Sequence, residues 1–499
     1  MLMLTKFKHY GWDICVFLAI FISMFIFFTG AHPLIIYDGD DWANLSHMRH
    51  FIPMWHGFNP IKILPETLMP LVGYLSGYVV TPIVKNYVVS VTIVSALLVS
   101  SFITMYIYLF SRFIGTLGNQ SRYRDALICI VLFLSHFFIF KQKSDLSNYL
   151  FRSFDLTCYF HYLIPAVLNI SLVLYFFRHE LKKDNVWTEN MVKNSILIFI
   201  LYLGIFSNIL QSVILAVFTG VLLLGKEGKR LFFPKEWKRI FKENPLYCSI
   251  LIVWFISLFF EASGGRARSI ATAGFISPVL DTLKILGESL RQINFIFLIF
   301  SLVTILFTIY SARQNHSAFA ACVLKIIRIC FTCMFFVLIY LVLVCSKANP
   351  LYIGRTDVGI GILFWYIFIF GVSLAYLIQE YPKCFLAAPV IAVMVLVETV
   401  NGRSAFMESN LVGAAPRNCY AVDMDILNQI QLADQRNVSE LELHVPKGDN
   451  RDNWPHPDYM GKNICQTLYR DGIISRTFEI KIVPDINMNK KYHIPVPEQ

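Results

Sequence analysis

Long apolar runs near residues 13–30, 84–110, 126–140, 158–177, 247–261, 293–310, 329–345, 358–378 and 384–399 constrain this chain more than any other feature. A hydrocarbon core about 30 Å thick takes about 20 helical residues to cross. Inside it, every backbone N–H and C=O must find a partner within the protein, and helices do this locally. Nine such runs predict an all-α polytopic membrane protein. Composition agrees: 15% of residues are charged and mean hydropathy is +0.58, whereas a soluble chain carries about 25% charged residues. Several runs fall short of 20 residues, so their ends must extend into aromatic-rich flanks. Lys6 and Lys8 give the first run the start of a signal peptide, but no small-residue cleavage site precedes the acidic segment that follows. It therefore reads as a retained helix.

Residues 195–225 break the pattern. They are too many for one crossing and too few for two, with Ser207, Asn208 and Gln211 in the middle. Lys182, Lys183 and Lys193 precede the segment, and Lys226, Lys229, Arg230, Lys235, Lys238, Arg239 and Lys242 follow it. Basic segments belong on the cytoplasmic side. Both flanks reach that side only if 195–225 enters and returns, as a re-entrant hairpin or two short helices. The expected topology then has a cytoplasmic N-terminus, nine full crossings, a large first outer loop over 31–83 and an outer tail over 401–499.

The net charge of +10 is unevenly placed. Of 43 Lys and Arg only 11 lie in 401–499, against 13 of the 33 Asp and Glu, so residues 1–400 carry +12. A basic surplus scattered between apolar spans faces anionic lipid and argues against nucleic acid as a partner. The tail has the patterning of a small soluble α/β domain, with strand-like pieces at Glu440–Val445 and Thr477–Val483 and turn residues at Lys447–Asn450. Most cysteines sit in apolar spans and read as packing, Cys330 and Cys333 included. Cys419 and Cys465 lie in the tail, where they are a candidate pair if it is outside the cytoplasm.

Chemistry concentrates in Tyr37-Asp38-Gly39-Asp40-Asp41-Trp42, just after the first run. Crowded carboxylates raise one another's pKa, which suits a general base that takes a proton from a weakly nucleophilic hydroxyl. The alternative is a solvated acidic turn followed by an interfacial Trp. Residues alone leave the two open. Cationic candidates for a phosphate are Arg266 and Arg268 in Gly264-Gly265-Arg266-Ala267-Arg268, then Lys347 and Arg355, with Lys141, Lys143 and Arg152 weaker. Glu66 could support the acidic site, although capping the following helix explains it better. His161 reads as a packed residue. Asp38-Gly39-Asp40 spells DxD, but no supporting ligands accompany it, so no metal is expected, and no cofactor.

An acidic pair in the loop directly after the first helix resembles the signature of the GT-C superfamily of integral membrane glycosyltransferases. Within it, the chain is most similar to the serotype-converting O-antigen glucosyltransferases of enteric bacteria and their phages. The similarity covers length, the large first outer loop, the re-entrant segment and the outer C-terminal domain; only Asp40 and Asp41 match a motif. The resemblance implies a bacterial inner-membrane enzyme that takes a sugar, glucose by expectation, from a polyprenyl-phosphate donor. The acceptor would be a hydroxyl of lipid-linked O-antigen on the periplasmic face. Asp41, with Asp40 second, would be the base of an inverting displacement, with Arg266, Arg268, Lys347, Arg355, Glu66 and Trp42 binding substrate. A lipid-linked sugar flippase or an O-antigen polymerase is the alternative; the first fits the large tail poorly, and the second would depend on arginine-rich outer loops.

Overall fold

The computed structural model describes residues 2–37, 39–46, 60–118, 122–141, 148–263, 276–382, 414–448 and 460–496. Among these, nine helices are long and apolar enough to cross a membrane: Ile14–Ala31, Pro65–Val84, Tyr87–Ile114, Leu156–Lys182, Ile209–Phe232, Pro245–Ala262, Phe295–Gln314, Ala318–Ala348 and Thr356–Glu380. The polytopic, mainly helical class therefore stands. Helix starts are written in polar side chains: Asn86, Asn190, Asn294 and Ser317 each accept a backbone amide from the first turn they precede.

Two helices form the centre. Leu156–Lys182 is 89% buried across its most apolar window and Thr356–Glu380 is 78% buried, against 22% for Ile14–Ala31 and Pro245–Ala262. A helix apolar on all sides belongs inside a bundle or in lipid; here the two central ones are enclosed by the rest. Phe110, Phe113, Phe177, Phe364 and Phe368 interlock between them, with ring centroids 4.8–6.0 Å apart. The peripheral helices turn large apolar side chains outward, such as Ile83, Phe259 and Leu306, as a lipid-facing surface requires.

The nine helices are not the same nine as the apolar runs. Residues 384–399 lie outside the described residues. Arg122–Phe138 is a helix of 17 residues. In its place stands Pro65–Val84, inside the segment read as the first outer loop. Its prolines and small residues (Pro65, Pro70, Gly73, Ser76, Gly77, Pro82) gave that stretch the composition of a loop. Near 195–225 the chain makes two helices, Met191–Ile205 and Ile209–Glu227. The first, at 15 residues, is about 22 Å long. Their bend is satisfied from the central helix: Asn169 Nδ2 donates to the Gly204 carbonyl (3.0 Å) and reaches Ser207 Oγ (3.4 Å). Asn208 donates to the His161 carbonyl at 2.8 Å, while Lys226 pairs with Glu180 at 2.6 Å. The pair thus runs along the central helix from its start to its end; only the first is short, since the second, Ile209–Phe232, is long enough to cross a membrane, so the segment is not two short helices.

The C-terminal unit is a two-stranded parallel sheet, β1 (Glu440–Val445) and β2 (Glu479–Pro484), with Leu443 opposite Ile482. Helices Pro416–Gln435 and Gly461–Arg470 cover it with Ile426, Ile430, Ile464 and Leu468. The expected strands are present within two residues. Cys465 is a free thiol whose sulfur accepts the Phe478 amide at 3.3 Å, so it is not bridged to Cys419.

This unit docks on the bundle through polar contacts. Thr467 donates to the Trp42 carbonyl (2.7 Å), Arg470 to the Ser46 carbonyl (2.6 Å), and Asn86 to the Tyr420 hydroxyl (2.8 Å). Tyr87 donates to Asp471 at 2.5 Å. Helix Pro65–Val84 leaves no side chain in the way: a Cβ on Gly77 would sit 2.1 Å from the Asp471 carbonyl oxygen, and one on Gly73 2.5 Å from the Leu45 oxygen.

Candidate active site

The docked interface encloses a cluster of carboxylates contributed by three distant segments. Asp41 lies in the short helix Gly39–Asn44 and is fully buried. Its Oδ2 accepts the Tyr37 amide at 2.8 Å and its Oδ1 the Thr157 amide at 2.6 Å. Thr157 belongs to the first turn of the central helix, and Asp155 caps that same turn, its Oδ1 accepting the Cys158 amide at 2.6 Å. The unpaired amides of a helix N-terminus favour anions, which is why two carboxylates tolerate one another there. Asp423 arrives from the C-terminal helix Pro416–Gln435; it is buried, and its Oδ2 has no hydrogen-bond partner among the described residues.

Burial sets the protonation of all three. It pushes Asp41 well above the ordinary carboxylate range, and the charge of Asp155 adds to the rise; the Thr157 and Tyr37 donors oppose it. Asp155 is pushed up to about 6 by burial, against the Cys158 amide and the charge of Arg355. Asp423 is raised by burial and then by Asp41. Asp41 and Asp155 therefore titrate as a unit.

Arg355 provides the facing cation. Its Nε and one terminal nitrogen hold Asp357 in a fork, at 3.0 and 2.7 Å, and that nitrogen also meets Cys158 Sγ at 3.0 Å. The guanidinium lies 4.5 Å from the Tyr162 ring centroid and 4.7 Å from that of Phe154, packing that fixes a cation in place. Its other terminal nitrogen makes no hydrogen bond among the described residues. A small cavity of about 60 Å³ opens beside it, walled by Phe140, Leu286, Ile353 and Leu363. Arg152 approaches Phe154 from elsewhere, at 5.7 Å, and its carbonyl accepts the Thr356 hydroxyl. Gln211 donates to the Asp357 carbonyl at 2.7 Å, so the polar residues of the hairpin bend serve this site.

Of the residues the sequence singles out, Asp41 and Arg355 are brought together. Asp40 is half-exposed on the same short helix. Trp42 is neither interfacial nor open to a sugar: it is buried, its ring 6.5 Å from Tyr87. Glu66 sits in the first turn of Pro65–Val84, one turn before Met69, whose sulfur contacts Thr157. Lys347 is exposed at the end of Ala318–Ala348 and makes no hydrogen bond or ion pair among the described residues. Arg266 and Arg268 lie outside the described residues, as does Asp38. His161 is buried, its Nδ1 3.0 Å from the Thr157 carbonyl.

Sequence reasoning missed Asp155, Asp357 and Asp423. Asp155 carried a usable signal, an Asp immediately before an apolar run, which is a helix N-cap signature. Asp423 carried none, because an acid on an amphipathic helix looks solvated. Among the described residues, no three His, Cys, Asp or Glu side chains converge to hold a metal ion.

Chemically, the cluster offers a carboxylate whose raised pKa suits proton abstraction and, beside it, a guanidinium with one edge free for an anion. In comparisons with known proteins, no family model, no curated protein and no solved structure matches this chain.

Proposed function

We propose that this chain is a GT-C-type integral membrane glycosyltransferase of the bacterial inner membrane. It transfers a sugar, glucose in our reading, from a polyprenyl-phosphate donor to a hydroxyl of lipid-linked O-antigen on the periplasmic face. The observation that carries the proposal is Asp41: a fully buried carboxylate just after the first apolar helix, anchored by two backbone amides and coupled to Asp155, which feels the charge of Arg355. Burying a carboxylate with another carboxylate as its neighbour is costly, and such arrangements gather where a raised pKa is used.

The residues divide the work of one displacement. An acceptor hydroxyl oxygen attacks the anomeric carbon as the bond from that carbon to the phosphate oxygen breaks. Asp41 takes the hydroxyl proton and later passes it to water. The lipid phosphate leaves with the bonding electron pair, and the free edge of Arg355 receives the charge it gains. Arg355 is the described member of the expected substrate-binding cations that takes this role. Attack opposite the leaving group inverts the anomeric centre. The uneven distribution of Lys and Arg supports the orientation, with the hairpin flanks cytoplasmic and the carboxylate end outside.

Membranes carrying Asp41→Asn or Asp40→Asn, matched for protein, test the reading when given a labelled polyprenyl-phosphate sugar and the acceptor glycan. Losing a general base costs roughly 10²–10⁴-fold. Asp41→Asn is expected to lose that much and Asp40→Asn far less. Normal transfer by both variants would overturn the site. A wild-type protein that moves lipid-linked sugar across the bilayer without transferring it would overturn the enzyme class.

A further inference from the structure

A second groove opens where the C-terminal unit meets the bundle. Its volume is about 610 Å³, and it lies between the end of the first helix, the first turns of Tyr87–Ile114 and the start of the C-terminal helix Pro416–Gln435. Gly30, Ile35, Val89 and Ile93 line its apolar part, while Arg417 and Tyr420 close it on the C-terminal side. A Cβ at Gly30 would meet nothing within 4 Å, so this wall is open. Arg417 is exposed and makes no hydrogen bond or ion pair among the described residues. Tyr420, in contrast, is fixed by the bond from Asn86.

The groove shares no lining residue with the cavity beside Arg355, yet its walls belong to the segments that carry Asp41 and Asp423. Ile35 lies two residues before Tyr37, whose amide holds Asp41. Tyr420 lies one helical turn before Asp423, which is close enough to Asp41 for the charge of Asp41 to raise its pKa. Apolar walls formed by two membrane-crossing helices, topped by an unpaired cation, match an amphiphile with an anionic head and a hydrocarbon chain.

We infer that this groove binds the phosphate head and first isoprene units of the lipid-linked acceptor, with Arg417 on the phosphate. The inference rests on the transferase reading. Two lipid-linked substrates must then reach one carboxylate cluster, and the cavity of about 60 Å³ at Arg355 is too small for two headgroups. A second headgroup needs its own cation and its own apolar wall, and Arg417 with the Ile35–Ile93 wall provides both. The tail helix that carries Arg417 also carries Asp423, so acceptor binding and site assembly are joined on one element.

The test uses the purified full chain in detergent micelles, with the acceptor glycan attached to polyprenyl diphosphate and the same glycan with the lipid diphosphate removed. A charge-assisted contact contributes enough that its loss weakens binding about tenfold. Arg417→Glu, and Ile93→Trp to fill the groove, should each lower the ratio of kcat/KM for lipid-linked over delipidated glycan about tenfold, through KM. Arg417→Lys should recover most of it. An unchanged ratio overturns the inference, and so does a rise confined to the donor's KM. Binding of polyprenyl diphosphate alone is measured in parallel on wild type and Arg417→Glu. Equal binding also overturns the groove. Weaker binding to Arg417→Glu, found with a wild type that transfers nothing, would leave the groove standing and remove the transferase reading.

Discussion

Asp155 and Arg355 make the acid side of the pH profile a sharp test at the scale of single residues. Under the proposed function Asp41 is the base, and a base works only when deprotonated, so activity should be lost as pH falls through the pKa of the Asp41–Asp155 pair. Burial lifts Asp155 from 3.8 to about 6, and the charge of Arg355 holds it from rising further. Removing that charge as Arg355→Gln must push the pair higher. The acid limb of kcat/KM is expected to lie above the ordinary carboxylate range in the wild type and to move to higher pH in the variant. A limb that stays in place would separate Arg355 from the base. Arg355→Lys keeps the charge but loses the fork on Asp357; its limb should stay near the wild-type position while the donor's KM rises. At this scale the sequence was half legible. The acidic pair after the first helix announced Asp41, and the short loop before Thr356 announced Arg355. Their partners were hidden, because Asp155 and Asp423 meet Asp41 only through contacts more than a hundred residues apart in sequence. Trp42 misled for a related reason: an aromatic beside acids fits an interface as well as a core, and only docking of Thr467 and Tyr87 decides.

At the scale of elements, hydropathy located the interior helices and failed where small residues do the packing. Helix Pro65–Val84 has a mean hydropathy of 1.4, the lowest of the nine; among its small residues, Gly77 admits the backbone of the C-terminal unit at Asp471, and Gly73 admits the Leu45 carbonyl. This reverses the usual effect of Gly→Ala in a helix, a gain of about 0.5–1 kcal/mol. Gly77→Ala would place its methyl 2.1 Å from the Asp471 oxygen, a clash with backbone that costs about 1–3 kcal/mol. Gly220, in the helix Ile209–Glu227, has nothing within 4 Å of an added Cβ, so Gly220→Ala should raise Tm slightly. Thermal unfolding in detergent compares the two, and equal shifts would mean that the close approach at Gly77 does not hold the unit in place. The hairpin was legible in outline, since Ser207, Asn208 and Gln211 marked a polar bend between basic flanks. What the sequence lacked was the partner, Asn169, one Asn amid the apolar middle of the central helix.

The whole molecule depends on how the C-terminal unit seats against the bundle, because it closes the site with Asp423. Asp471 lies at the centre of that seat, buried, with the Tyr87 hydroxyl on its Oδ2. Burial lifts its pKa from 3.8 to about 7, with Tyr87 and Arg470 opposing. A carboxyl whose docked pKa lies above its undocked value holds its proton more firmly when docked. Its contribution is therefore complete below about pH 4 and is lost as pH rises through about 7. Docking should loosen across that interval. Limited proteolysis of the C-terminal unit reports it: cleavage within 414–496 should be slower at pH 5.5 than at pH 8, relative to a control substrate for the protease. Asp471→Asn keeps the shape and accepts the Tyr87 hydroxyl without titrating, so it should flatten the difference and protect the unit at pH 8. A pH dependence that survives in Asp471→Asn would place the titrating group elsewhere, with the buried carboxylates around Asp41 next in line. Because the same seat brings Asp423 to Asp41, loss of transfer in the alkaline range should then track undocking rather than chemistry. Asp471→Asn distinguishes the two by extending activity upward in pH while leaving the acid limb where it was.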